Sequence, residues 1–179
     1  MTPDTATLMA HYNHHMNIRL YQAAGRLPTL ELHRNRGAFF GSLFSTLNHI
    51  AVGDSVWLHR FAAHPQAGAL RAALAEVPHP TSLQQPLADS LPALHRYRER
   101  LDRLIVDWAD TLTEAQLTAP LSYRNMAGQP QCKRFAHLVQ HFFNHQTHHR
   151  GQASTLLYQA GEDVGVTDLV AVVPDLLPS

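Results

Sequence analysis

Apolar residues recur every three or four positions along four long stretches of the chain, and prolines or glycines fall between them. The first stretch runs from about Asp4 to Leu27, where Met9, Tyr12, Met16, Leu20, Ala23 and Leu27 share one face. That period predicts an amphipathic helix. Pro28 ends it, because a proline ring disfavours helical geometry in the residue before it. The second stretch runs from about Gly37 to Phe61, with Phe40, Leu43, Leu47, Ile50, Asp54 and Trp57 on its face and Pro65 as its stop. The third, from about Ser90 to Leu112, carries Leu91, Leu94, Leu101, Ile105, Trp108 and Leu112, and tolerates Pro92 in its first turn. The fourth, from about Arg134 to Ala160, ends at Gly161, a residue suited to closing a helix.

The connections are uneven. Between the second and third helices, a short helix over 67–77 is followed by Pro78, Pro80 and Pro86. That length exceeds what antiparallel neighbours need, so this segment is expected to cross over the bundle. Residues 117–133 read as a hairpin-like insertion, with its turn at Asn125-Met126-Ala127-Gly128. The tail, 162–179, is apolar around Leu169-Val170-Ala171-Val172-Val173 and is expected to dock on the bundle as a short helix or strand. The expectation is an all-α, four-helix bundle with a long crossover, one domain over 1–179.

Composition narrows the function classes. Lys and Arg number 14, as do Asp and Glu, so no basic field exists to attract nucleic acid or an anionic membrane. Cys132 is the only cysteine, which excludes an internal disulfide and a multi-cysteine zinc cage. Neither a signal-peptide pattern nor a membrane-length apolar run is present, and a cytoplasmic protein is the expectation. The anomaly is 14 histidines.

Five of them, His137, His141, His145, His148 and His149, lie in the fourth helix. A frame through Phe135, Leu138, Phe142, His145, His149, Gln152 and Leu156 places His145 and His149 on the core seam. Buried imidazoles need partners, and side chains four apart on a helix can aim two ring nitrogens at one ion. The candidate third ligand is His49. Ser42, Ser45, Thr46 and Gly53 lie on its side of the second helix and leave room beside the ring. The competing reading of His49 is a core histidine bonded to a backbone carbonyl. Three histidines with an open position form a catalytic metal set rather than a structural one. Imidazole suits zinc, nickel, copper or iron, with zinc or nickel expected first. Gln146 follows His145, so the glutamate base of a zincin protease is missing. These helices also lack the inward Glu-x-x-His pairs of a di-iron bundle.

Asn144-His145-Gln146-Thr147-His148-His149-Arg150-Gly151-Gln152 resembles the signature of the DinB-like family, also described as DinB/YfiT-like metalloenzymes and named for a damage-inducible bacterial protein. Leu47-Asn48-His49-Ile50 with Asp54 and Trp57, the 12–20 stretch with Asn17, and the 165–169 segment are similar too. The resemblance implies a four-helix bundle, commonly dimeric, with a metal held by His49, His145 and His149. It also implies kinship with transferases and isomerases that use low-molecular-weight thiols. The expectation is a metal-dependent thiol S-transferase acting on a small molecule. The alternatives are a metal-dependent hydrolase and a non-catalytic metal- or ligand-binding stress protein. Gln152, His148, Arg150 and Asp54 are candidate partners of the ligands. Gln152 would orient a ligand ring, Arg150 would steady an anionic substrate or form a salt bridge, and Asp54 would accept a proton or act as a structural hydrogen-bonder.

Overall fold

The computed structural model describes residues 1–176. Among these, four long helices form the bundle: α1 (Pro3–Gly25), α3 (Leu43–Phe61), α5 (Leu91–Ala109) and α7 (Phe135–Gln159). Short helices α2 (Thr29–His33), α4 (Gly68–Ala73) and α6 (Glu114–Thr118) lie in the connections. So do the strands β1 (Pro120–Arg124) and β2 (Pro130–Arg134). No helix among the described residues is long and apolar enough to cross a membrane.

Caps explain where the helices start. Thr2 accepts from the Thr5 N–H ahead of Pro3, and Ser42 accepts from the Ser45 N–H, each at 3.2 Å. The second bundle helix therefore begins at Leu43, not near Gly37. Gly37 and Gly41 take left-handed backbone (φ 71° and 77°), and the turn between them lifts Phe39 and Phe40 out of the helix. At the far end of α7, Gly161 adopts φ 88°. The Glu162 N–H then reaches the Leu157 carbonyl at 2.9 Å and Gly161 reaches that of Tyr158 at 3.0 Å, a Schellman closure.

The packing order is not the chain order. Both α1 and α3 pack against α5 and α7, which leaves α1 and α3 at opposite corners. Thr7 with Asp110 and Tyr21 with His95 make α1 and α5 antiparallel. Ser55 with Tyr97 and Phe61 with Trp108 make α3 and α5 parallel. Parallel neighbours require a return along the length of the bundle, and residues 62–90 supply it. The return retraces α3 backwards: Val77 meets His59, then Leu83 meets His49, then Gln85 meets Asn48.

Three layers follow along α3. At one end, Phe61 stacks on Trp108 at 5.0 Å and meets Phe135 and Phe142 edge-on. In the middle, Asp54 is wholly buried against Arg98, which also contacts Asp102 at 3.0 Å. At the other end stands His49. The buried face of α7 takes in Phe135, Leu138, Phe142, His149 and Leu156 of the sequence frame and widens beside it through Val139, Gln146, Ala153 and Leu157. His145 and Gln152 border the core instead of centring on it.

The strands pair antiparallel, with Leu121 opposite Lys133, and the turn is held by the Asn125 side chain accepting from Ala127 and Gln129 at 3.0 Å. β2 runs straight into α7, and the Phe135 N–H still reaches Ala119 at 2.9 Å. The tail forms a 3-10 turn at Leu169–Val172. It is held by both backbone and side chains: Tyr12 donates to the Thr167 carbonyl at 2.5 Å and Arg19 to that of Val166 at 2.7 Å, Val164 packs against the core, and Val166 and Val170 stay exposed. The last part of the expected tail, 177–179, lies outside the described residues.

Candidate metal centre

His145 and His149 project from one face of α7 toward α3, where His49 meets them. Their ring centres lie 4.3 Å apart, and that of His49 lies 5.3 Å from His145 and 4.6 Å from His149. One ring nitrogen from each falls within 4.8 Å of the other two, a spread that small ring rotations close to the ~2.0–2.1 Å reach of a single ion. Among the described residues no fourth histidine, cysteine or carboxylate joins this group.

Hydrogen bonds set the tautomers of two rings. His49 Nδ1 lies 3.3 Å from the Leu83 carbonyl, and His149 Nδ1 lies 2.7 Å from Gln152 Oε1. Both partners are acceptors, so each Nδ1 carries the proton and each Nε2 keeps a bare lone pair. His49 is thus both things its sequence context allowed, a histidine bonded to a backbone carbonyl and a member of the cluster. Room for His145 comes from Gly53, since a Cβ built there would sit 2.7 Å from His145 Cε1.

The electrostatics favour neutral imidazoles. Burial, then the neighbouring imidazoles, pushes His145 down to about 3. Burial likewise lowers His49 and His149. Neutral rings are the form that ligates a metal. The donor set, tautomers and space therefore fit a divalent ion.

The other candidates are placed differently. Gln152 orients His149. His148 is exposed, meets His149 edge-on at 4.8 Å and points no nitrogen into the cluster. His141 packs edge-on against Trp57 at 5.1 Å. Asp54 is committed to Arg98 in the buried layer, where burial raises its carboxyl and Arg98 opposes that shift. Arg150 is buried on the α1 side, bonded to Asn13 and Thr147 and lying over the Tyr12 ring at 5.0 Å. It is not in position to steady a substrate at the histidines, and among the described residues it makes no interhelical salt bridge.

Three participants were not apparent from residue patterns. Leu83 acts through its carbonyl, which carries no sequence signal. Phe40 read as part of a helical stripe, yet it stacks on His49 at 4.1 Å and meets His149 edge-on at 5.3 Å. The two flanking glycines and the Ser42 cap were the available signal. Gln146 is wholly buried beside Asp54, and its amide atoms find no well-aligned partner. A cavity of about 410 Å³ opens beside His49, walled by Phe40, Phe44 and Leu83.

Comparison with known proteins gives a consistent picture. A family model described as DinB family matches residues 1–173. Protein DinB of Bacillus subtilis (strain 168) is 26% identical over 165 residues, covering 92% of this chain and 91% of that protein. No solved structure matches.

Proposed function

The chain belongs to the DinB family, and from that premise we propose that it is a divalent-metal-dependent enzyme joining a low-molecular-weight thiol to an electrophilic small molecule. The observation that carries this reading is a set of three imidazoles with no fourth protein ligand among the described residues, beside a cavity. Closed sets of four protein ligands belong to structural metal sites, whereas three ligands and an open position belong to catalytic ones. A non-catalytic binding module would be better served by a closed set.

His49, His145 and His149 would hold the ion, zinc or nickel by ligand type. When bound, a divalent ion favours the ionised form of a thiol or water brought to it. The chain's own contribution is positioning. Leu83 and Gln152 keep two nitrogens aimed, Gly53 makes room for the third ring, and Phe40 covers one face of His49. In the transfer, the thiol loses its proton to solvent and its sulfur electron pair forms the new S–C bond. The displaced group leaves with the electron pair of the bond that breaks. A thiol is favoured over water because Asp54, the carboxylate that follows His49 on α3, is spent on Arg98. A thiol also ionises near pH 8.5 with little help.

The test is to load the purified chain with zinc or nickel and measure thiol conjugation to generic electrophiles, with ester hydrolysis as a parallel assay. Conjugation well above that of His149→Ala supports the transferase. Hydrolysis without conjugation supports the hydrolase instead. Equal rates for the two proteins in both assays would remove catalysis at this centre.

A further inference from the structure

The cavity beside His49 has a definite chemical character. Its outer wall is Phe39, Phe40, Phe44, Leu83 and Pro86. Among the described residues no Asp, Glu, Lys or Arg lines it, and His49 is the one ionisable side chain there. Of the polar groups present, the Asn48 amide is already committed at both ends, donating to the Gln85 carbonyl and accepting from the Leu87 N–H, each at 2.9 Å. The Ser45 hydroxyl oxygen accepts from Ser42 at 3.0 Å, which leaves its hydrogen free to donate. The wall therefore offers aromatic faces, with the exposed Gln84 amide and the Ser45 hydroxyl hydrogen as uncommitted polar groups and no full charge among the described residues.

Those faces are arranged in sequence. Phe39 is 86% exposed at the tip of the turn between Gly37 and Gly41. It meets Phe40 edge-on at 4.9 Å, and Phe40 stacks on His49 at 4.1 Å. An aromatic path thus leads from solvent to the histidine cluster. A ring entering along it replaces water on each face, and offset or edge-on contacts with phenylalanines add to that burial. The volume of about 410 Å³ lies at the small end of the ligand-pocket range, which suits a molecule of one or two fused rings. A carboxylate or phosphate on that ring would lose its hydration here with no cation to replace it, because Arg150 faces α1. An ammonium would gain ring contacts but would face a centre that becomes positive once an ion is held.

We propose that the Phe39–Phe40–Phe44 cavity beside His49 binds the uncharged aromatic portion of the small-molecule substrate. The inference rests on the functional reading of the three-histidine centre as the reactive end. Its substance is the selection of neutral planar molecules by the wall.

Calorimetric titration of the full chain, stripped of metal by chelator, tests the wall separately from the centre. The probes are naphthylmethanol, naphthoate and naphthylmethylammonium, which share one ring system and differ in charge. Saturable binding of naphthylmethanol is expected, with naphthoate about fivefold or more weaker on the metal-free chain, and naphthylmethylammonium weaker by about as much once the chain is reloaded with zinc. Phe39→Ala, at an exposed position the fold does not use, is expected to weaken naphthylmethanol about threefold or more, and Phe40→Leu further still. Metal uptake by the same protein is measured in parallel. Equal affinity for naphthylmethanol and naphthoate, a preference for naphthoate on the metal-free chain, a preference for naphthylmethylammonium on the zinc-loaded one, or indifference to both substitutions overturns the proposal. Metal uptake without naphthylmethanol binding overturns the pocket and leaves the centre standing. Naphthylmethanol binding by a chain that takes up no metal supports the pocket and overturns the centre.

Discussion

At the scale of single residues, the centre depends on what stands behind each imidazole. Leu83 and Gln152 accept a proton-bearing nitrogen from His49 and His149, and so present the opposite nitrogens to the cluster. The Leu83 contact is a backbone carbonyl and survives most substitutions. The Gln152 contact does not. Gln152→Leu is expected to weaken zinc or nickel affinity about 10–100-fold, the usual effect of losing a ligand's hydrogen-bonded support. Competition against a chromogenic chelator measures it. Gln152 is only half-buried and lies beyond the core stripe, so the thermal midpoint of the metal-free protein should hardly move. Undiminished affinity would show that the glutamine merely packs.

At the scale of elements, α3 carries the molecule. It is buried on nearly every side, pairing with α7 at the histidines and with α5 at Asp54. The Asp54–Arg98–Asp102 layer is extended by Asn17, which donates to Asp102 at 2.9 Å. Arg98 is flanked by two carboxylates, and burial disfavours its charge less than Asp102 and Asp54 support it, so its guanidinium stays protonated. Arg98→Met would leave Asp54 buried without its counter-ion and Asp102 with only Asn13, Asn17 and His14 around it. A loss of about 3–5 kcal/mol is expected, the range for breaking a buried pair from one side, with unfolding by denaturant as the measurement. A loss below about 1 kcal/mol would mean that water reaches the layer on substitution and takes over the arginine's role. The same layer explains why Arg150 is absent from the cavity. Arg150 belongs to the polar contacts between α7 and α1, through Asn13, on the far side of the stripe.

At the scale of the whole molecule, the depressed imidazoles tie stability to pH. His49, His145 and His149 are held below their ordinary value of 6.5 in the folded chain. Above that value neither state binds the protons and the stability is intact. As pH falls below it, the unfolded chain takes up protons that the folded one refuses, down to about 3 for His145. His14 works in the opposite sense, because Asp102 raises it. Its contribution is present in acid and fades as pH rises through its folded value. Burial lowers His64, His79 and His141 as well, while the raised Asp54 carboxyl acts with His14, so six lowered groups outweigh two raised ones. The urea midpoint of the metal-free chain is therefore expected to fall between about pH 7.5 and about pH 5, a range in which ordinary carboxylates stay ionised. A midpoint that holds steady or rises would show that the cluster opens to water.

Periodic apolar spacing was enough to mark the four bundle helices, and the Gly161 stop and the long prolines-bearing connection were legible with it, because these are properties of local geometry. The three histidines were legible for a related reason. A four-residue step on a helix brings two rings together whatever surrounds them, and His49 sat on a side of small residues. What needed the folded chain was everything set by a neighbour distant in sequence. The return of residues 62–90 along α3 placed the Leu83 carbonyl on His49. The glycine-bounded turn swung Phe40 from a presumed helical stripe onto the same ring. Contact with α1 drew Arg150 away from the site, and the buried face of α7 proved wide enough to take in Gln146 while leaving His145 at its border. A linear pattern states which side chains share a face. Which partner that face meets, and at what rotation, follows only from packing all the helices at once.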